Sequence, residues 1–245
     1  MIIEKFVKLK DGMYKLELDN KLDLKIHEDL ILKYNLLVSK ELDENNLYKI
    51  VEENKIYEIY NIALKYLSRR VRSVKEVNDY LLEKEYEIDV INEVIKKLKE
   101  QGYLDDKIYV KSLVNDRIRL NNYGPFKIKR ELLDNGIEED LIDEVLLIYS
   151  EDLEREKITK IINKHQKSNT KSNMALKIKL KNNLINLGFN IDLINEELNQ
   201  INGDEEELLK KEYEKLRIKL SKKYSGKELE LKIRQKLYQK GFIIK

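Results

Sequence analysis

Apolar and polar positions alternate with period two through the first 26 residues and with helical period afterwards. "IIEKFVKL", "YKLELD" and "LDLKI" each read as a strand, divided by the turn chemistry of "KDG" and "DNK". They predict a small antiparallel meander, too small to be stable alone and in need of a helix to lie against. From about residue 27, "HEDLILKYNL" predicts a short helix. Asp43 is placed to cap the next one, which carries Leu47, Ile50, Val51, Ile56, Ile59 and Tyr60. "NIALKYLSRR" follows with Ala63, Leu64 and Leu67 on one face. Ser73 and Glu76 then form a capping-box pattern ahead of "VNDYLLEK".

The helical part repeats itself. "DYLLEKEYEIDVINEVI" (79–95), "RELLDNGIEEDLIDEVL" (130–146) and "NNLINLGFNIDLINEEL" (182–198) align without gaps, and "QKLYQKGFIIK" (235–245) starts a fourth copy. The shared leucine is Leu81, Leu132, Leu184 and Leu237; five residues on stand Tyr86, Ile137, Phe189 and Phe242. Glycine precedes that apolar residue in three copies, as Gly136, Gly188 and Gly241. There a helix is expected to end, with glycine in the left-handed conformation and the next residue packing back on the last turn. Residue 85 is Glu where the other copies have glycine, so the first copy is expected to end its helix differently.

Each copy predicts three helices: a long one, a short one before the glycine, and one after it. Neighbouring copies must bury each other's apolar faces. The expected fold is therefore mainly α, a tandem array of three-helix repeats forming an elongated curved body, with the small β meander at its N-terminus. The expected divisions are 1–60 (meander plus helices), 61–106, 107–150 and 151–200 (three repeats), and 201–245 (a partial fourth).

Within the second repeat, Asp105 and Asp106 stand where a helix should start, and capping alone accounts for them. The helix after them is expected to bury Val110, Leu113, Val114 and part of Ile118, with Arg117 beside that stripe and Arg119 pointing away. "NNYGP" ends it. Pro125, the chain's only proline, suits the first turn of the next helix, and Gly124 permits a tight link. Phe126, Leu132 and Leu133 are expected in the core. Tyr123, Lys127, Lys129 and Arg130 crowd the same junction. They form either an ordinary solvated face or, with Arg117 and Arg119, an anion-facing patch.

Composition narrows the chemistry. The 245 residues are 42% hydrophobic and 38% charged, yet the net charge is only +2, so any attraction to polyanions must come from local clustering. Between Glu156 and Asp192 there is no acidic residue, while Lys157, Lys160, Lys164, Lys167, Lys171, Lys177, Lys179 and Lys181 fall in that span. Such a block would bind phosphates in a salt-sensitive, sequence-independent way. Alternatively "HQKSNTKSN" (165–173) is a flexible solvated loop, and the acidic "GDEEELLKKEYE" (203–214) is an internal partner for the lysines.

No cysteine is present, and His27 and His165 are the only histidines, which excludes disulfides and thiolate metal sites and argues against a zinc site or a histidine triad. "SGKELE" (225–230) lacks the upstream glycine and the Ser/Thr of a phosphate loop, and neither GxSxG nor HExxH occurs. No stretch approaches the roughly 20 apolar residues of a membrane span. A soluble cytoplasmic protein with no catalytic constellation, no cofactor and no metal is the expectation.

"LDD-x-x-Y-V-x-S-x-V-x-x-R" (104–117) followed by "YGP-x-K-I-K-R-E-L-x-x-x-GI" (123–137) resembles the core of the RecX family of recombinase regulators. "ALKYLSRRVRSVKEVNDYLLEKEY" (63–86) is similar to the preceding family block, with Leu67, Arg70, Ser73 and Leu81 in place. The meander and "HEDLILKYNL" resemble the extension found in Gram-positive members. Beyond residue 150 only the Leu-x-x-x-Gly-aromatic pattern persists. The resemblance implies a non-enzymatic modulator that binds the RecA filament on single-stranded DNA and restrains its ATPase and strand exchange, lying along the filament groove. It implies a contact surface built from Arg70, Arg72, Arg117, Arg119, Tyr123, Lys127, Lys129 and Arg130, on a protein expected to be a monomer. The competing reading is a general helical binder of single-stranded or double-stranded DNA acting through the 157–181 lysines; an unrelated scaffold is a third.

Overall fold

The computed structural model describes residues 1–201 and 203–243. The last two residues of the expected fourth copy, Ile244 and Lys245, and Asn202 lie outside the described residues. The chain forms two compact units: Met1–Ser112 with Asn135–Ile137, and Leu113–Asp134 with Glu138–Lys245.

The first unit opens with the three strands that the alternation predicts, β1 (Ile3–Lys8), β2 (Met13–Leu18) and β3 (Asp23–His27), antiparallel and in sequence order. Phe6 pairs with Leu16, and Leu16 with Leu24. Helices α1 (Glu28–Lys33), α2 (Leu36–Ser39) and α3 (Glu44–Leu67) follow. Leu16, Leu18 and Ile26 share a core with Leu30, Ile31, Leu36 and Ile50. The meander lies against α3 through buried Asn54, whose Oδ1 accepts from the His27 amide at 2.9 Å while its Nδ2 donates to the Lys25 carbonyl at 2.9 Å. Asp43 caps α3 as expected, and the helix runs unbroken through what the sequence presents as two segments.

Helices α4 (Val74–Leu82) and α5 (Ile88–Glu100) pack on the second half of α3 around Ile59, Ala63, Val77, Leu81, Ile91, Val94 and Leu98. The Ser73–Glu76 capping box is formed. Asp106, the first residue of α6 (Asp106–Asp116), accepts from the Val74 amide at 2.9 Å, and Asp105 accepts from the Lys107 amide at 2.7 Å. The expectation for residue 85 needs correction. Glu85 takes φ of 62°, the left-handed value that Gly136, Gly188 and Gly241 adopt, so the first copy ends its helix the same way without glycine. The Tyr86 amide reaches back to Leu81 as Phe189 does to Leu184 and Phe242 to Leu237.

In the second unit α6 ends in a single π-helical turn, Arg117–Asn121, closed by left-handed Asn122. Then come α7 (Pro125–Asp134), α8 (Glu139–Leu146), α9 (Glu151–Lys167), α10 (Asn173–Asn186), α11 (Ile191–Asn199), α12 (Glu205–Leu220) and α13 (Gly226–Gln239). The Gly-Pro start of α7 meets the glycine turn that ends α10. Gly124 donates to the Leu187 carbonyl at 2.8 Å and Phe126 to Gly188 at 3.1 Å, with Pro125 between them needing no partner. Amide donors left over at one helix start thus meet carbonyls left over at another helix end. A Cβ on Gly124 would strike the Gly188 and Phe189 backbone, and one on Gly188 would strike Lys127. The next junction repeats the device, with the Ser172 amide donating to the Lys240 carbonyl at 3.0 Å.

Two further expectations are corrected. Leu132 is fully buried, but Phe126 and Leu133 are 59% and 44% exposed, and Ile128 takes the core position instead. Apolar residues occur on both sides of α7, and the register of the Gly-Pro start decides which side faces in. The loop expected at 165–173 is shorter: α9 runs to Lys167, α10 starts at Asn173, and Ser172 between them caps α10, accepting from the Ala175 amide at 3.2 Å.

Candidate docking surface

The second-repeat cations gather around the junction of the π-helical turn and α7. Arg117 lies beside the buried stripe and forms a two-pronged pair with Glu131 of α7; its Nε donates to Oε2 at 2.7 Å, and its second prong meets Oε1. A further bond at 3.3 Å goes to the Asn121 side chain. Such a fork fixes a guanidinium plane. Half-buried Tyr123 stands between cations: Lys127 Nζ lies 4.0 Å from its ring centre and the Arg117 guanidinium 6.0 Å. The Tyr123 carbonyl accepts from the Tyr149 hydroxyl at 2.9 Å, and burial holds that phenol protonated well above its usual range. Lys129 is paired with Asp143 at 2.8 Å and Glu139 at 2.7 Å, and those bonds raise its pKa. Arg119 and Arg130 are exposed, with no ion pair among the described residues.

The two first-repeat arginines lie in the first unit and are already engaged there. Arg70 grips Glu76 with both terminal nitrogens and reaches the Val71 carbonyl at 3.3 Å. Arg72 donates to the Tyr66 carbonyl at 3.1 Å, and its guanidinium carbon lies over the Tyr66 ring, 3.5 Å from the centre. Tyr66 stacks on Tyr80 with centres 3.7 Å apart, and Lys84 Nζ lies 5.2 Å from the Tyr80 ring. The structure thus brings Arg117, Tyr123 and Lys127 into one cluster in the second unit, and ties Arg70 and Arg72 to Glu76 and Tyr66 in the first.

The lysine block divides. Lys157 Nζ donates to the Ile118 carbonyl at 2.5 Å, and burial, helped by the charge on Lys160, lowers its pKa. It therefore satisfies a carbonyl of the π-helical turn that closes α6, where a cation is favoured by the helix dipole. Lys160, Lys164, Lys167, Lys171 and Lys179 are exposed. None of the block pairs with the acidic segment among the described residues. That segment is close by, since Asn173 donates to the Gly203 carbonyl at 2.8 Å, but its carboxylates serve α12 itself and, through Glu212, Lys240 at the end of α13. Asp204 caps α12, and Glu207 pairs with Lys211 at 2.6 Å.

The exposed apolar residues on α7 escaped the sequence reading. The gap-free repeat alignment carries the signal, because the positions of Phe126 and Leu133 are apolar again in the later copies. Among the described residues no helix is long and apolar enough to cross a membrane, and no group of acidic and histidine side chains is arranged to hold a metal.

Comparison with known proteins follows the same map. The family model described as "RecX, first three-helix domain" matches residues 60–106, and "RecX, second three-helix domain" matches 105–146. A "Regulatory protein RecX" of Streptococcus thermophilus is 36% identical over 243 residues, covering 96% of this chain and 93% of that one. The "Regulatory protein RecX" of Oceanobacillus iheyensis is 32% identical over 223 residues, covering 89% and 82%. A solved structure titled "Crystal structure of regulatory protein RecX" superposes with a TM-score of 0.67 at 26% identity, covering 78% of this chain and 96% of that one.

Proposed function

This chain belongs to the RecX family, and we propose that it regulates homologous recombination and DNA repair by binding the RecA filament on single-stranded DNA and restraining its ATPase and strand exchange. The contact is made across adjacent protomers, without catalysis, and blocks extension of the filament or promotes its loss. The contact surface comprises Arg70, Arg72, Arg117, Arg119, Tyr123, Lys127, Lys129 and Arg130. Segments 151–200 and 201–245 act as further copies of the same unit.

The observation that carries the reading is the arrangement around Tyr123, within the second matched three-helix domain. Arg117 and Lys129 have acidic partners in their own unit, which holds the junction rigid, while Arg119 and Arg130 remain open to carboxylates of a partner. Exposed pairs contribute little to stability, so positioning is the better account of the first two. A DNA-binding reading retains one favourable observation, the exposed lysines of α9 and α10 that pair with no carboxylate among the described residues.

The deciding experiment measures binding of the labelled protein to preformed RecA filament and to naked single-stranded DNA at the same salt. Clear preference for the filament is expected, with inhibition of its ATPase. The combined R119E, K127E and R130E variant is expected to lose at least about tenfold in filament affinity, as reversal of several contacting charges should. Equal or stronger binding to naked DNA would replace this reading with the lysine-block one.

A further inference from the structure

Aligned on the buried leucine, the helices before the glycine turn share a second feature that faces outward. Six residues before that leucine stand Phe126, Ile178 and Leu231; one residue after it stand Leu133, Ile185 and Tyr238. All six belong to the second unit. They are 59%, 53%, 55%, 44%, 41% and 77% exposed in that order, while Leu132, Leu184 and Leu237 are buried. The two positions are seven residues apart and so lie on one side of each helix. The first repeat has Lys75 and Leu82 there, and so lacks half of the pair.

Single exposed apolar residues are ordinary on any protein. Here the same two positions are apolar in three successive copies, on helices that had polar alternatives at every turn. Packing within the unit leaves a large part of each one uncovered. Basic residues outnumber acidic ones on all three helices: α10 carries Lys177, Lys179 and Lys181 and no acidic residue, α7 carries Lys127, Lys129 and Arg130 against Glu131 and Asp134, and α13 carries Lys227, Lys232, Arg234 and Lys236 against Glu228 and Glu230.

We infer that these outward pairs are repeated docking points for a protein polymer, each taking an apolar patch rimmed by carboxylates. The inference rests on the filament-binding reading and names the chemistry of that contact. An array of equivalent points fits a partner whose subunits are themselves identical. Several weak contacts then act together, and the affinity of the whole exceeds that of any one. Nucleic acid is a poorer occupant, because isoleucine and leucine offer no flat face for a base and no donor for a phosphate. A second copy of this chain is poorer too, since like-charged rims would oppose each other.

The test places serine at Phe126, Ile178 and Leu231, singly and together, and follows affinity for preformed RecA filament on single-stranded DNA at low and high salt. Each single change is expected to weaken binding roughly three- to tenfold and the triple change at least about a hundredfold, as for apolar anchors of an interface. The loss should persist at high salt. Affinity for naked single-stranded DNA and the thermal midpoint should stay unchanged, and F126Y should retain most of the binding. A folded triple variant that binds filament as well as the unsubstituted chain would overturn the inference and leave the filament reading intact. An unsubstituted chain with no affinity for filament would overturn both. Self-association abolished by the serines would identify the occupant as a second copy and overturn it as well.

Discussion

The turns at Glu85 and Gly188 have the same shape and different constraints. Both residues are left-handed, at φ of 62° and 82°, and both precede an aromatic residue whose amide reaches back five positions to the repeat leucine. At Gly188 the backbone of Lys127 presses on the space a side chain would fill. At Glu85 an exposed side chain is accommodated. Left-handed backbone is therefore a preference that another residue can meet at modest cost, whereas close approach of a second backbone is an exclusion. The glycine of this repeat is strictly required only where a neighbouring helix start docks on the turn.

Substitution can separate the two constraints. G188A combines left-handed strain with collision against Lys127 and should destabilise the second unit by about 2–5 kcal/mol, read from the midpoint of urea unfolding. G124A meets the Gly188 and Phe189 backbone without left-handed strain and should cost about 1–3 kcal/mol in the same titration. E85G is the smallest change and has the opposite sign, a gain of about 0.5–1 kcal/mol for the first unit. If G188A proved no worse than G124A, the left-handed conformation would contribute nothing measurable. A loss of stability in E85G would show that the Glu85 side chain supports the turn in some other way.

Much of this fold is legible in the chain itself. The change of period near residue 27, the Ser73–Glu76 box and the recurring leucine–glycine–aromatic spacing are local signals, and local hydrogen bonds express them. The candidate site is less legible because its determinants are tertiary. Arg117 and Glu131 are fourteen residues apart and meet only because the Gly-Pro junction folds α7 back. Lys157 belongs by sequence to a block of one charge, yet the carbonyl of Ile118 claims it. Phe126 and Ile128 are both apolar and two positions apart, so a helical period alone does not say which one is covered.

The Tyr66–Tyr80 stack has an optical consequence. The chain holds fifteen tyrosines and no tryptophan, so its near-ultraviolet absorption is almost wholly phenolic. Two rings 3.7 Å apart and 5° from parallel form a coupled pair of chromophores, held between α3 and α4. Near-ultraviolet circular dichroism reports fixed packing of this kind and disappears when it loosens. Both stacked ring pairs among the described residues, Tyr66–Tyr80 and His27–Tyr57, belong to the first unit. That unit therefore carries its own spectroscopic label, by which separation of α3 from α4 can be followed while far-ultraviolet ellipticity follows the helices of the whole chain.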